Sequence, residues 1–179
     1  MTGTAKQPID VLSDALDQTA EVLAAISPDH LSDPTPCEEW DVARLVAHVV
    51  ATPRTFLVMA GGGEPDWTAQ PPLPDDWAGE FRAGADDLLR WWREAGADSG
   101  SPPPADWQLA ELAVHTWDLV RATGQSRDLD PQVAQRGLDF MSAALTAENR
   151  GEAFRPALTL PDDAPVYDRL VAFAGRDPR

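Results

Sequence analysis

In the stretch ELAVHTWDLV, Glu111, His115 and Asp118 stand four and three residues apart in an otherwise apolar run. With about 100° between successive helical residues, their side chains share a sector of roughly 60° with Gln108 and Ala122. An imidazole and a carboxylate one turn apart can aim lone pairs at one point, so Glu111 and His115 offer two ligands to a divalent metal. The same stripe is also what a solvated helix edge looks like, where i, i+4 Glu–His contacts contribute about 0.2–0.5 kcal/mol. Two ligands do not make a site.

A third ligand has few sources, because the chain has three histidines. His30, in SPDHLSD, reads as a hydrated loop residue. His48, in LVAHVV, lies at the border of a helix's wet and core faces, with Asp41 and Thr52 on one side and Leu45 and Phe56 on the other. Taken together, His48, Glu111 and His115 form the two-histidine, one-glutamate set that leaves a fourth position on zinc open.

The elements that must position these residues are helical. Apolar positions from Ile9 to Ile26 recur at three- and four-residue steps, and Pro28 closes the run. A second helix starts near Trp40 and ends in the glycines 61–63, with Pro53 expected to kink or interrupt it. A third follows in DDWAGEFRAGADDLLRWWREAG, then a loop, ADSGSPPPA. The fourth helix, from about Asp106 to Thr123, carries the opening stretch and is closed by Gly124. A fifth runs from Pro131 to about Glu148, proline suiting a first turn. ALTL reads as the one extended piece, and PDDAPVYDRLVAFAG as a short closing helix. The fold class is all-α: an up-and-down type four-helix bundle with short additional C-terminal elements, one domain over residues 1–179. The fourth helix is apolar almost all round, so other helices should surround it, and its polar stripe must face a gap to solvent or an interior pocket.

Composition excludes some partners. With 14 Lys+Arg against 30 Asp+Glu, the net charge of −16 repels nucleic acid and anionic membrane surfaces. No apolar run approaches the roughly 20 residues that cross a bilayer, and no export segment is visible. The single cysteine, Cys37, forms no intrachain disulfide, and the expected location is the cytoplasm. Cys37 reads as a small buried hydrophobe, since Glu38 and Glu39 oppose the electropositive setting a reactive thiol needs. Trp40, Trp107 and Trp117 read as core rather than as a cofactor platform.

Three segments carry a resemblance: TPCEEWDVARLVAHVV, ELAVHTWDLVRATG and LPDDAPVYDRLVAFAGRDP. In this order they resemble the metal-binding superfamily that includes the DinB-like proteins and the N-terminal domain of mycothiol-dependent maleylpyruvate isomerase, in its single-domain actinobacterial branch. The resemblance implies a four-helix bundle holding a divalent metal through His48, Glu111 and His115; these ligands suit zinc first, nickel second, and others besides. Asp118 is left to support a ligand or to accept a hydrogen bond from Arg121 or Thr116. Because the isomerase has a second domain that this chain has no room for, that isomerisation is not expected.

The expected activity is a metal-dependent S-transfer from a mycothiol-type thiol to a small electrophile. Two alternatives stand beside it: a metal-dependent hydrolase with Asp118 as its shuttle, and a non-catalytic metal- or ligand-binding bundle. A homodimer is left open, as no decisive patch identifies one.

Overall fold

The computed structural model describes residues 6–38, 40–66, 69–95, 105–150 and 154–179. Among these residues are six α-helices: α1 (Pro8–Ala24), α2 (Val42–Ala60), α3 (Trp77–Ala95), α4 (Ala105–Ala122), α5 (Pro131–Ala144) and α6 (Val166–Phe173). The chain is all-helical, and among the described residues only an isolated bridge between Pro34 and Asp41 has β character. The expected extended piece at 157–160 is not a strand, though Leu158 donates to the Ala172 carbonyl at 2.9 Å and so runs beside the end of α6. The loop expected at 97–105 lies, apart from Ala105, outside the described residues.

Local chemistry explains where the helices start and stop. Asp41 caps α2 by accepting from the Arg44 N–H at 2.9 Å, and Asp130 caps α5 through the Gln132 N–H at 2.8 Å. Pro131 occupies the first turn of α5, where its missing N–H costs nothing. After α4, Gly124 takes a φ of +63°, and the Gln125 N–H folds back onto the Val120 carbonyl at 3.1 Å. Helix α5 ends at Ala144, earlier than its expected limit near Glu148, because Asn149 draws the chain into a turn through Thr146 N–H and the Ala144 carbonyl.

Pro53 does not interrupt α2. The helix continues through it, and Pro53 is buried where α3 comes close: a Cβ on Gly84 would stand 3.3 Å from the Pro53 Cβ. Packing of the proline ring against a glycine accommodates what the helix loses in backbone bonding.

In the bundle α1 packs on α3 and α4, and α2 packs on the same two helices. Going round, the order is therefore α1, α3, α2, α4, with α1 diagonal to α2 and α3 diagonal to α4. This corrects the up-and-down order expected from sequence, which would make each helix the neighbour of the next. The 17-residue connection between α1 and α2 is long enough to cross the bundle end. Helices α5 and α6 cover the outer side of α4.

The core is filled by Phe56, Phe81 and leucines from α1 to α4, all essentially inaccessible. Contrary to the sequence expectation, one helix among the described residues, α2, is long and apolar enough to cross a bilayer by length and composition. Half of it is buried against the other helices, the pattern of a core helix.

Candidate metal centre

The burial of α4 decides what its polar stripe is. Thirteen of its 18 residues are buried, including Gln108 and Asp118 at 0% exposure and His115 at 9%. A solvated edge does not fit, because α1, α2, α5 and α6 all pack against the helix and most of its stripe is buried. Each buried polar side chain of α4 has a partner, as burial demands. Gln108 Oε1 accepts from the Trp92 indole at 3.0 Å, and the Thr116 hydroxyl meets that of Thr19 at 2.7 Å.

Facing α2, Glu111 and His115 meet His48. The Glu111 Oε1 lies 2.8 Å from His48 Nε2 and 3.3 Å from His115 Nε2. One ligand-competent atom from each of the three residues lies within 4.8 Å of the others. Around a tetrahedral zinc with bonds of about 2.0–2.1 Å, donor atoms stand about 3.3 Å apart, so this set fits a divalent metal with shifts of an ångström or so. Two nitrogens and a carboxylate oxygen also suit nickel.

The electrostatics match a charged cluster. Burial alone would raise the Glu111 pKa, but the His115 charge and hydrogen bonds from His115 and His48 hold it well below the usual carboxylate range. Burial likewise works against a charged His115, yet the Glu111 charge and the bonds to Asp118 and Glu111 push its pKa up to about 9. A divalent cation would take the place of that imidazole proton.

His115 is held from behind. Its Nδ1 is 3.1 Å from Asp118 Oδ2, which leaves Nε2 as the nitrogen turned toward Glu111. Asp118 in turn accepts from Arg176, with Nη2 at 3.1 Å and Nε at 3.4 Å. Neither partner expected from sequence serves: Thr116 bonds Thr19, while Arg121 stacks over Trp117 and reaches the Arg179 carbonyl. Arg176, 58 residues away, was missed, and the one local sign of it is the Gly175 before it. That glycine has φ +84° and a Cβ there would lie 2.6 Å from the Arg155 Cβ, so the turn that delivers Arg176 needs glycine.

Trp117 is core as expected, at 6% exposure. Trp40 differs: it is half-buried, with its ring centroid 4.8 Å from that of His48 and 6.1 Å from that of His115. It walls the cluster rather than filling the bundle. Trp107 is also half-buried, edge-on to Phe56. His30 is not simply hydrated, since its Nδ1 is buried without a hydrogen-bond partner. It takes no part in the cluster. Cys37 is partly buried, and burial pushes its thiol pKa up, with Arg176 acting in the opposite sense. Glu38 is paired with Arg155, and Glu39 lies outside the described residues.

Two cavities border the cluster. One, of about 620 Å³, is lined by Trp40, Asp41, Arg44 and His48 together with residues 69–71 and Leu73. The other, of about 380 Å³, opens between α4 and α5 with Glu111 and His115 in its wall.

Fold and cluster together define a helical bundle with a partly buried His–Glu–His convergence reached from two sides. Residues 12–120 match the family described as "Mycothiol maleylpyruvate isomerase N-terminal domain", and the chain belongs to that family. It is also 33% identical over 183 residues to an uncharacterized protein of Mycobacterium tuberculosis, found in strains CDC 1551 / Oshkosh and ATCC 25618 / H37Rv, covering 92% of this chain and 95% of the relative. No solved structure matches the chain significantly.

Proposed function

We propose that the protein is a metal-dependent thiol S-transferase, a single domain acting in the cytoplasm on a small electrophile, with His48, Glu111 and His115 as the metal ligands. The observation that carries this reading is the convergence of those three side chains within 4.8 Å at the meeting of two cavities. The family name points to mycothiol as the thiol. When bound, a divalent metal supplies Lewis acidity that lowers the pKa of a thiol at the site.

The chain's residues do the rest. Asp118 and Arg176 keep the His115 ring in place, and Trp40 limits water on the side of the two histidines. The cavity beside Arg44 and Asp41 offers charged and amide groups to a polar thiol such as mycothiol. In the transfer, the thiol proton passes to solvent and a sulfur lone pair forms the new C–S bond. The leaving group departs with the electron pair of the bond that breaks.

A hydrolase would need a mobile acid–base group near the cluster. Asp118, the shuttle expected from the sequence, is fully buried and held by His115 and Arg176, which weighs against that alternative.

The test is incubation of metal-loaded protein with mycothiol and a broad panel of electrophiles. Acceleration over the thiol alone, lost in His48→Ala and His115→Ala, is the expected result. No acceleration across the panel would overturn the transferase reading and leave a binding module.

A further inference from the structure

The two cavities that border the cluster differ in what lines them. On the α2 side, in a space of about 620 Å³, the polar groups are Asp41, Arg44, His48 and Gln70, and the Arg44 guanidinium lies over the Trp40 ring, 5.1 Å from its centroid. Between α4 and α5, in a space of about 380 Å³, Trp107, Val114, Phe140, Met141, Leu145 and Phe154 supply an apolar wall beside Glu111 and His115. Val114 and Met141 are buried, whereas the three aromatic rings are half-buried and border an opening instead of completing the core. Both spaces fall in the roughly 300–1,000 Å³ range of small-molecule sites. No described residue lines both. They meet at one contact, where His48 in the wall of the first lies 2.8 Å from Glu111 in the wall of the second.

We infer that the two substrates of the proposed transfer bind at the same time in different cavities: the polar thiol on the α2 side, and between α4 and α5 an electrophile that carries an aromatic or alkyl group. The inference rests on the transferase reading for the roles of the two molecules; where each binds can be tested without turnover. The physical basis is the match of surfaces. A polar thiol leaving water finds hydrogen-bonding partners in Asp41, Arg44 and Gln70. The other cavity offers it few, since Asn149 is already engaged, accepting from Thr146 N–H and donating to the Ala144 carbonyl. An apolar group gains contact there with three aromatic rings and the Met141 thioether as it leaves water. That group, and not the charge on the rest of the electrophile, selects the cavity.

Two ligands test this: N-phenyl-1-naphthylamine, whose fluorescence rises in apolar surroundings, stands in for the apolar group, and mycothiol is the thiol. Each is titrated into the metal-loaded protein, into Ala144→Trp and into Ala69→Trp, alone and with the other at saturation. Ala144 lines the apolar cavity at the exposed end of α5, and Ala69 lines the polar one from an exposed loop, so neither substitution touches the core or the proposed metal ligands. Unchanged circular dichroism and metal content would show that each variant is folded.

Ala144→Trp should weaken the fluorescent compound at least about tenfold and leave mycothiol within about twofold of the parent, Ala69→Trp should do the opposite, and saturating mycothiol should leave the compound bound. Mutual exclusion of the two ligands, or either ligand indifferent to the substitution in its own cavity, would overturn the assignment. A turnover assay with mycothiol and 1-chloro-2,4-dinitrobenzene separates the two readings. There the thiol proton passes to solvent, a sulfur lone pair forms the new C–S bond, and chloride departs with the electron pair of the C–Cl bond. Ala144→Trp should raise the KM for the aromatic chloride and Ala69→Trp the KM for mycothiol. Binding as expected without turnover of this or other electrophiles bearing an apolar group upholds the assignment and overturns the transfer. Turnover whose KM for the aromatic chloride is indifferent to Ala144→Trp does the reverse.

Discussion

Asp118 grips His115 from the side away from Glu111: Oδ2 lies 3.1 Å from the imidazole Nδ1, and the same oxygen accepts from Arg176 Nη2 at 3.1 Å. The carboxylate thus links the C-terminal segment to the cluster. Both Asp118 and Arg176 are buried, at 0% and 7% exposure, so each charge depends on the other.

Removing the carboxylate should therefore act twice. Asp118→Ala is expected to weaken zinc binding by about 10–100-fold, because the His115 ring loses the acceptor that orients it. It should also destabilise the metal-free protein by about 3–5 kcal/mol by leaving the Arg176 charge buried and unpaired. Chelator competition reads the first effect and denaturant unfolding the second; zinc affinity equal to the parent's would contradict the supporting role.

Metal content offers the most direct check on the ligand set. Elemental analysis of untagged protein should find near-stoichiometric metal, lost in His48→Ala and in His115→Ala. Stripping the metal should lower the melting temperature, since free metal at about 100 times its Kd stabilises by about 2.7 kcal/mol. A parent that refuses both zinc and nickel would leave the cluster a partly buried ion-pair network.

Without metal, stability should depend on pH through His115. Its folded pKa is raised from 6.5 to about 9, so the folded state binds the proton more tightly than the unfolded chain does. That contribution is fully present below pH 6.5 and is lost as pH rises through about 9. For Glu111, held below its ordinary value of 4.5, the sign is opposite: its contribution is present above that value and fades as pH falls. Unfolding midpoints of chelator-treated protein between pH 5 and 10 measure the alkaline decline, which His115→Gln should flatten.

Cys37 should be a slow thiol. Burial raises its pKa above 9.0, so alkylation by iodoacetamide at neutral pH is expected to run well below the rate in the unfolded chain and to climb only in alkaline solution. Equal rates in folded and unfolded protein would show that the thiol is neither shielded nor shifted.

Gly175 ties backbone geometry to the site. Gly175→Val should cost more than about 1 kcal/mol, because φ +84° is strained for a branched side chain and its Cβ meets Arg155. It should also reduce metal affinity by displacing Arg176 from Asp118. A variant that is less stable yet binds zinc as the parent does would separate the turn from the site.

The helices were legible because their signals are local. Periodicity from Ile9 to Ile26, Pro131 in a first turn and Gly124 after α4 each act within a few residues, and each helix appears close to where they place it. The pairing of Glu111 with His115 follows from a spacing of four on one helix, and His48 entered as the remaining helical histidine. Arg176 escaped notice because it reaches Asp118 across 58 residues, and no local pattern marks such a contact. Trp40 read as core for a related reason: a tryptophan beside a helix start looks alike whether its ring fills the bundle or lies against two histidines.

By itself the sequence determined a set of amphipathic helices, a net charge of −16 and three side chains of the right types to hold a metal. Only the tertiary structure decided that the polar stripe of α4 is interior, that the helices run in the order α1, α3, α2, α4, and that an apolar cavity opens beside Glu111. The division has a physical cause. Helix formation depends on neighbours three and four residues away, whereas burial and convergence depend on which other helices arrive, and α4 carries apolar residues on so much of its circumference that its own pattern leaves open which of them will enclose it.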